Sequence, residues 1–389
     1  MKISNKIARY ALLHAQGLRK RSEAATKWDV LQAIRQMGAL QIDTINVVAR
    51  SPYLVLWSRL GDYNPRWLDE LHAEGYLFEY WSHAACFLPI EDYPIYRRRM
   101  IERSKTLARW YQVDSDIVNS VLDFVCNYGP VLSSSFPNLD KRAGGWWNRK
   151  PEKEALEYLF DIGMLMVKER RNFQRVYDLR ERVLPDWDDS NVPSTEEMNK
   201  SLVLKSAKAM GVAKLTWISD YFRLDKTSTV TAVKQLLDEG ELIQVEVEGW
   251  DVPAIVNSSF ISELDAIEEM ISNSHITTFL SPFDPVIWDR KRALELFGFD
   301  YKIEVYTPAS KRIYGYFTLP ILYKGRIIGR IDPKSHRKDG VMEIRSLHLE
   351  PEIEIDDELI LEVGEALRSF AKWHGTPELL IKQAPFQIY

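Results

Sequence analysis

Apolar side chains near the N-terminus recur at intervals of three and four residues, the period of a helix that packs on one face. Ser4 can cap a first helix over 4–16, and Gly38 can end a second over 27–37. The alternating polarity of ALQIDTI then predicts a short strand. Further along, the pattern predicts helices over 53–60 and 65–73 and an extended segment over 76–89. We therefore predict a winged helix, a helix-turn-helix with a small sheet, over 1–90.

A helix followed by a two-stranded hairpin recurs along the chain. Pro151 can begin a helix over PEKEALEYLFDIG that ends at Gly163, and MLMVKERR and FQRVYDLR predict two strands joined around Arg171–Asn172. The same order of helix and two strands is indicated over 226–256. The predicted units are a helical connection with a second winged helix over 91–185 and, after a polar linker, a third winged helix over 195–272.

The pattern changes after residue 276. SPFDPVIWDRKRALELFGF predicts a loop and a helix, and four strands at hairpin spacing follow, YKIEVYTP, RIYGYFTLPILY, RIIGRIDPK and VMEIRSLHLE. A closing helix is predicted over 356–373. We assign 276–389 to a small β-barrel with helices. The predicted fold class is α+β, with tandem winged-helix units followed by this C-terminal small β-barrel.

Composition narrows the class of protein. The 389 residues are 46% hydrophobic, which is ample for large cores, and no apolar run is long enough to span a membrane. The N-terminus lacks the apolar centre and cleavage site of a signal peptide, and two cysteines, Cys86 and Cys126, are too few for a disulfide framework. We expect a cytoplasmic protein with no membrane partner.

The net charge of −5 argues against a nucleic-acid partner, but the charges are unevenly spread. Basic residues cluster over 97–109 and again over 311–338, and aromatic residues are frequent. Basic stretches interleaved with aromatics suit a polyanion with stackable bases, although solvated protein faces also carry such charge runs. Both interpretations stay open on composition alone.

Few residues carry recognisable chemistry. The sequence has no GxxxxGK[ST], GxGxxG or GxSxG motif, and its scattered histidines and cysteines favour neither a metal site nor a cofactor. What remains is Gln41-Ile42-Asp43. On a strand, Gln41 and Asp43 would point to one side, an amide beside a carboxylate, with Ile42 facing the core. By spacing alone, ordinary polar alternation on a half-buried strand is the favoured interpretation.

The sequence around this pair resembles a known family. QIDTINVVARSPYLVLWSRLGDY is similar to the catalytic segment of the AlkX (YcaQ) branch of the AlkZ-type DNA glycosylases, in which the third motif position is Asp. The resemblance continues through AQGL, EYWSHAACF, GWW, VKERRNFQRVYDL, LPDWDD, LSPFDPVIWDRKRA and YTPASKRIYGYF. It implies tandem winged helices and a C-terminal β-barrel that form a C-shaped cradle for DNA. It also implies excision of N7-alkylated purines and unhooking of interstrand crosslinks, with Gln41 and Asp43 as the catalytic pair.

The chemistry implied by this resemblance needs no general acid. Alkylation at purine N7 makes the base a cationic leaving group. Ionised Asp43 can stabilise the oxocarbenium-like sugar and take a proton from a water molecule that Gln41 holds. The motif has no lysine, so we expect water as the nucleophile, no strand-nicking lyase step and no cofactor. Because a crosslinked base stays tethered to the opposite strand, we expect a shallow site instead of deep base flipping.

Residues outside the motif are candidates for DNA contact. Arg50 and Ser51 could hold a phosphate at a helix N-terminus or form a local cap. Trp146 and Trp147 could stack on DNA, although core or loop packing is the commoner role of such a pair. The second wing and the C-terminal hairpin supply the other candidates, Arg170, Arg171, Arg175, Arg330, Lys334, His336 and Arg337.

Two other functions remain open on the sequence. Winged helices also occur in transcriptional regulators without catalysis, and a fold by itself does not fix function. A glycosylase that acts only on simple monoadducts is the second alternative. For the favoured function, the partner is double-stranded DNA with alkylated purines or interstrand crosslinks, bound by a monomer.

Overall fold

A computed structural model describes residues 1–19, 21, 24–107, 114–136, 151–271 and 276–388. Its helices are α1 (Asn5–Ala15), α2 (Lys27–Met37), α3 (Ser51–Leu60), α4 (Arg66–Ala73), α5 (Tyr93–Leu107), α6 (Ser115–Tyr128), α7 (Pro151–Asp161), α8 (Arg180–Val183), α9 (Thr195–Met210), α10 (Leu215–Tyr221), α11 (Lys226–Asp238), α12 (Ile261–Met270), α13 (Arg290–Phe297) and α14 (Asp357–Trp373). Its strands are β1 (Lys2–Ile3), β2 (Leu40–Gln41), β3 (Leu77–Trp81), β4 (Ala85–Pro89), β5 (Val131–Leu132), β6 (Leu165–Arg171), β7 (Gln174–Leu179), β8 (Val212–Ala213), β9 (Leu242–Val247), β10 (Ala254–Asn257), β11 (Thr278–Phe279), β12 (Leu319–Tyr323), β13 (Arg326–His336), β14 (Val341–Leu349) and β15 (Glu378–Ile381). In these ranges, no helix has the length and apolar character needed to cross a membrane.

The chain divides into two compact units. The first unit comprises Met1–Pro65 and Leu202–Tyr389, and the second comprises Arg66–Ser201. In the first unit, β1 pairs in parallel with β9, so that Lys2 lies opposite Glu246 in a four-stranded sheet of order β1-β9-β10-β8. Because the N-terminus folds onto segments far along the chain, the predicted ranges 1–90, 91–185, 195–272 and 276–389 do not coincide with these units.

Local capping sets the bounds of the first two helices. Ser4 accepts a hydrogen bond from the Ile7 amide at 3.2 Å, and Thr26 and Asp29 form a capping box at the start of α2. Gly38 ends α2 with a φ of 72°, a left-handed conformation in which glycine is not strained. Helix α2 therefore coincides with the helix predicted over 27–37, and β2 begins three residues after it ends.

Aromatic side chains fill the core of the first unit around α3. Trp57 is fully buried. Its ring stacks on Phe279 and meets the Phe370 ring edge-on, and the centroids of the Trp57 and Phe370 rings lie 4.8 Å apart. The indole of Trp373 on α14 donates to the Tyr63 carbonyl at 2.8 Å. This packing fixes α3 and therefore also holds one end of the segment between β2 and α3.

The C-terminal strands form an open sheet. Its order is β11-β12-β13-β14-β15, and within the described residues the two outer strands do not pair with each other. After the α14 crossover, β15 joins β14 in parallel and so extends the sheet at that edge. The predicted C-terminal β-barrel is therefore wrong, whereas the mixed α+β class is correct.

One predicted strand of this region is a loop. No strand is present over YKIEVYTP, and β12 begins only at Leu319. The Glu304 carboxylate instead accepts hydrogen bonds from three consecutive amides, those of residues 313–315, at 2.8 to 3.1 Å. These bonds occupy the amides that a strand would offer to its neighbour. The segment 302–316 therefore folds as a loop.

The second unit contains two hairpins. β3 and β4 pair in antiparallel fashion with Phe78 opposite Leu88. β6 and β7 are joined by Asn172 and Phe173, whose φ values of 50° and 67° are typical of a type I′ turn. Helix α7 leads into this second hairpin, as predicted, and the order of helix and hairpin recurs in the first unit at α11, β9 and β10.

Candidate active site

Gln41 and Asp43 lie on the segment that links α2 to α3. Gln41 is buried and ends the two-residue strand β2. Asp43 lies beyond the strand, and its side chain is half-buried. The prediction that the two side chains share one face of a strand is therefore wrong, because the strand ends before Asp43. The two residues instead flank the buried Ile42 where the strand gives way to a loop.

A backbone hydrogen bond fixes the Asp43 carboxylate. The Ile45 amide donates to Oδ1 at 2.8 Å, which closes a turn in which the side chain replaces a backbone acceptor. In the part of the chain that the structure describes, Oδ2 accepts no hydrogen bond. Asp43 therefore has one anchored oxygen and one oxygen that can act on a ligand.

The environment of Asp43 changes its acidity. Burial raises the pKa of this carboxyl above its ordinary value, and the hydrogen bond from the Ile45 amide opposes that shift only in part. A carboxylate with a raised pKa is a stronger base than a solvated one. Asp43 is thus suited to accept a proton from water and, when ionised, to stabilise a nearby positive charge.

Metal-ligating side chains are scattered over the described ranges. No group of three or more His, Cys, Asp or Glu side chains there is arranged to hold a metal ion. On the segment between α2 and α3, the groups that can act on a ligand include the Gln41 amide and the Asp43 carboxylate.

The turn between β13 and β14 contacts the segment that follows the candidate pair. Arg337, the first residue of that turn, donates from its guanidinium to the Val48 carbonyl. His336 Nε2 lies 2.9 Å from the Oε2 atom of Glu343 on the neighbouring strand β14. The half-buried Lys334 lies opposite the same Glu343 in the pairing of β13 with β14. The structure therefore places three predicted DNA-contact residues on a hairpin that touches the candidate catalytic segment.

Ser51 does not offer its hydroxyl to a phosphate. The residue is fully buried, and its Oγ shares a hydrogen bond of 2.7 Å with Ser281 Oγ. The prediction of a DNA contact at Ser51 is therefore wrong, since its hydroxyl is engaged inside the first unit. Arg50 is the half-buried N-cap residue of α3, and a DNA contact there stays a prediction.

Two of the predicted wing arginines are structural. Arg170 and Arg175 both pair with Glu79, a fully buried carboxylate on β3, and the Arg175 Nε lies 3.0 Å from it. Although burial opposes ionisation, the two guanidinium groups hold the pKa of Glu79 below its usual value. The charges of Arg170 and Arg175 are thus used to neutralise Glu79 inside the second unit, and not to contact DNA as predicted.

The third wing arginine has a different environment. Arg171 lies at the tip of the β6–β7 hairpin, where its side chain is 62% exposed and pairs with Glu169 at 2.6 Å. This residue therefore stays a candidate for DNA contact. Trp146 and Trp147 lie outside the described residues.

Arg330 belongs to the core of the first unit. It is 2% exposed, its guanidinium lies 4.3 Å from the Phe299 ring and 4.0 Å from the Tyr314 ring, and it donates to Glu350 at 2.7 Å. Its charge is neutralised inside the protein instead of being presented at the surface. The prediction of a DNA contact at Arg330 is therefore wrong.

One buried ion pair that supports the site was not predicted from the sequence. Arg59 on α3 pairs with Asp284 at 2.7 and 3.1 Å through two guanidinium nitrogens, and both side chains are buried. Its Nε also donates to the Gln16 carbonyl at 2.8 Å. A signal was present, because Gln16 and Asp284 lie within the strings AQGL and LSPFDP. The pair holds the end of α3 that lies opposite the candidate catalytic segment.

Comparisons with known proteins identify the family to which this site belongs. The family model for AlkZ-like DNA glycosylases matches residues 34–373, a range that includes Gln41 and Asp43. The chain belongs to this family. Its fold also resembles that of the Streptomyces sahachiroi DNA glycosylase AlkZ, with a TM-score of 0.66 and 18% identity over 98% of this chain and 100% of the other. As an AlkZ-like DNA glycosylase, the protein is an enzyme that acts on DNA, which decides against a regulator without catalysis.

Proposed function

We propose that this AlkZ-like DNA glycosylase hydrolyses the N-glycosidic bond of N7-alkylated purines and unhooks interstrand crosslinks made through such bases, as a member of the AlkX branch. The observation that carries the proposal is the Asp43 carboxylate, which is half-buried, anchored at Oδ1 and open at Oδ2. An N7-alkylated base already bears the positive charge that makes it a leaving group. The enzyme then needs to stabilise only the sugar and to activate water.

The reaction proceeds by loss of the base and addition of water. As the bond from C1′ to N9 breaks, its electron pair moves onto the base, which becomes neutral, and positive charge develops on C1′ and the ring oxygen. Ionised Asp43 stabilises that charge. Water adds to C1′ and transfers a proton to Asp43, while the Gln41 amide, which has both a donor and an acceptor, holds the water in place. The products are the free base, an abasic site and a proton that Asp43 releases to solvent.

We assign duplex binding to the helix-and-hairpin units, which we interpret as winged helices. The exposed side of α11 over 226–234 supports this interpretation, because it carries two lysines, two threonines and a valine, Lys226, Thr227, Val230, Thr231 and Lys234. The acidic residue of the helix, Asp238, lies in its last turn. Lysine suits phosphate, and threonine and valine suit base edges in the major groove. Arg171 would add a phosphate contact at the tip of the other wing.

The substrate proposal is tested with two duplexes. One contains a single N7-methylguanine, and the other contains a nitrogen-mustard crosslink between two N7 atoms. The enzyme should release the methylated base and should convert the crosslinked duplex into separate strands on a denaturing gel. Release from the first duplex with the second left intact would restrict the substrate to monoadducts. Failure to release a base from either duplex would contradict the proposal.

The pH dependence of catalysis should report the protonation of Asp43. A neutral carboxyl neither stabilises a cation nor accepts a proton, so kcat/KM should fall as the pH drops through the Asp43 pKa. Since burial raises that pKa, the fall should occur at a higher pH than for a solvated aspartate. Rates measured between about pH 4 and pH 8, corrected for spontaneous depurination, check this expectation. A rate that stays constant or rises on acidification would exclude Asp43 as the ionised catalytic group.

Arg171 and Arg170 should respond differently to replacement by alanine. Arg171→Ala should weaken DNA binding and reduce the slope of log K against log salt concentration by about one, without lowering the melting temperature. Arg170→Ala should lower the melting temperature, because it removes one of the two partners of buried Glu79. Binding isotherms at several salt concentrations and thermal melts separate the two effects. An unchanged salt slope for Arg171→Ala would show that the wing tip does not touch a phosphate.

A further inference from the structure

The loop 302–316 exposes two large apolar side chains. Tyr306 is 88% exposed and Ile313 is 74% exposed. Both belong to one loop, which is closed by the hydrogen bond from the Ile313 amide to Glu304, two residues before Tyr306. An aromatic and a branched aliphatic side chain that share one exposed loop mark an interaction surface.

The loop is held in this shape by its own polar groups. In addition to the three amide bonds to Glu304, the Arg312 Nε donates to the Thr307 carbonyl at 2.9 Å. Gly315 has a φ of 141°, and a Cβ at that position would lie 2.4 Å from the Asp332 carboxyl carbon, so only glycine fits. Tyr306 and Ile313 therefore project from a prepared scaffold, which reduces the entropy lost on binding.

The charge of the loop suits a polyanion. Lys311 and Arg312 immediately precede Ile313, and Lys302 lies at the start of the loop. Its acidic residue, Glu304, is buried and directed at backbone amides, so it does not offset these charges at the surface. Apolar side chains flanked by lysine and arginine are the combination that inserts between base steps while the cations contact phosphates.

The position of the loop relates it to the active site. The amides of Tyr316 and Phe317 donate to the Asp332 carboxylate on β13 at 3.4 and 3.3 Å. Just beyond the far end of β13, Arg337 contacts the segment after Asp43. At ~3.3 Å per strand residue, the distance along β13 from Asp332 to Arg337 is roughly 17 Å. A duplex that runs along β13 would advance about five base pairs over that distance, at ~3.4 Å for each base pair.

We propose that loop 302–316 is a wedge that inserts Tyr306 and Ile313 into the duplex about five base pairs from the excised base. This inference rests on the proposed action on duplex DNA. Partial unstacking bends the DNA, and a bend presents a glycosidic bond without complete base flipping. That property matters for a base that remains tethered to the opposite strand.

The test uses a binding duplex that resists excision. It carries 2′-fluoro-N7-methylguanine and a 2-aminopurine scanned over the neighbouring positions, since 2-aminopurine fluoresces more strongly when it is unstacked. The wild type is compared with Tyr306→Ala/Ile313→Ala. The matched control is Leu361→Ala, which removes a side chain that is 57% exposed on α14 among acidic residues. Thermal melts confirm that all three proteins are folded.

The wild type and the control should raise 2-aminopurine emission at a position within about five base pairs of the lesion. The double variant should lose that signal and bind about 5- to 100-fold more weakly, the effect expected for loss of base stacking. A double variant that keeps both the signal and the affinity overturns the wedge. DNA binding that is unchanged, with self-association lost in the double variant, overturns it and assigns the loop to a second copy of the chain.

The wedge and the proposed function can fail separately. A wild type that gives the fluorescence signal, but releases no base from a cleavable N7-methylguanine duplex, supports the wedge and overturns the proposed hydrolysis. A wild type that binds no duplex overturns both.

Discussion

Asp43→Asn is expected to slow base release by roughly 10²- to 10³-fold, the effect seen when one preorganised electrostatic group is removed from an active site. Asparagine keeps the shape of the side chain and an oxygen that can accept from the Ile45 amide, so the turn is preserved. It removes the negative charge and the proton acceptor. Affinity for the lesion duplex should therefore stay close to that of the wild type, and single-turnover rates and binding isotherms check the two expectations.

Asp188→Asn is a matched control for this substitution. Asp188 also accepts a hydrogen bond from the amide two residues further on, that of Ser190, at 2.9 Å, but it lies on the surface of the second unit. Its replacement should leave base release unchanged. Gln41→Ala should reduce the rate by less than Asp43→Asn, because a neutral amide only positions water. An Asp43→Asn enzyme as fast as the wild type would place the chemistry elsewhere.

Arg59→Met is expected to lower the free energy of unfolding by about 3–5 kcal/mol, because it leaves the buried Asp284 carboxylate without its cation. The methionine fills most of the volume of the arginine side chain, so packing loss is a minor contribution. The variant also loses the donor to the Gln16 carbonyl. Urea unfolding of the full chain, with its midpoint and slope compared with those of the wild type, measures the change.

Arg223→Met is the control for Arg59→Met. Arg223 pairs with Asp220, but its side chain is more than half exposed, and surface ion pairs contribute at most about 1 kcal/mol. The two variants should therefore differ by at least about 2 kcal/mol. Equal effects of the two substitutions would show that the Arg59–Asp284 pair does not support the fold around α3.

Local structure was predictable where the sequence itself carries the determinants. The capping box at Thr26 and Asp29 and the left-handed Gly38 set the bounds of α2. The β6–β7 hairpin was predicted from its two alternating strands. The caps depend on residues within four positions of each other. The hairpin pairs neighbouring strands that are joined by the two residues Asn172 and Phe173, so a pattern along the chain contains the information needed for both.

The conformation at Asp43 was not predictable by periodicity. Alternating polarity over ALQIDTI indicated a strand that places Gln41 and Asp43 on one side. The Asp43 carboxylate instead accepts a hydrogen bond from the Ile45 amide, which in a longer strand would donate to the neighbouring strand. The resemblance to the family assigned a catalytic motif to the pair, but a motif does not specify the backbone conformation of the residues in it.

Some basic residues that were predicted to contact DNA instead pair with carboxylates far away in the sequence. Arg170 reaches Glu79 across 91 positions of sequence, and Arg330 reaches Glu350 across 20. A count of basic residues cannot distinguish a cation that faces solvent from one that neutralises a buried carboxylate. The prediction of a C-terminal barrel was wrong for a related reason. Tertiary packing places β15 parallel to β14 at the edge of the sheet, and strand spacing along the sequence does not contain that information.

The central claim is that this enzyme hydrolyses the glycosidic bond of an N7-alkylated purine with water as the nucleophile. Its most direct test is to incubate the wild type with an N7-methylguanine duplex, with and without borohydride, which reduces a Schiff base to a permanent link between enzyme and DNA. We expect free 7-methylguanine in amounts equal to abasic sites, an unbroken DNA strand and no enzyme–DNA link in the presence of borohydride. Base release no faster than in buffer, while the duplex is still bound, would contradict the claim.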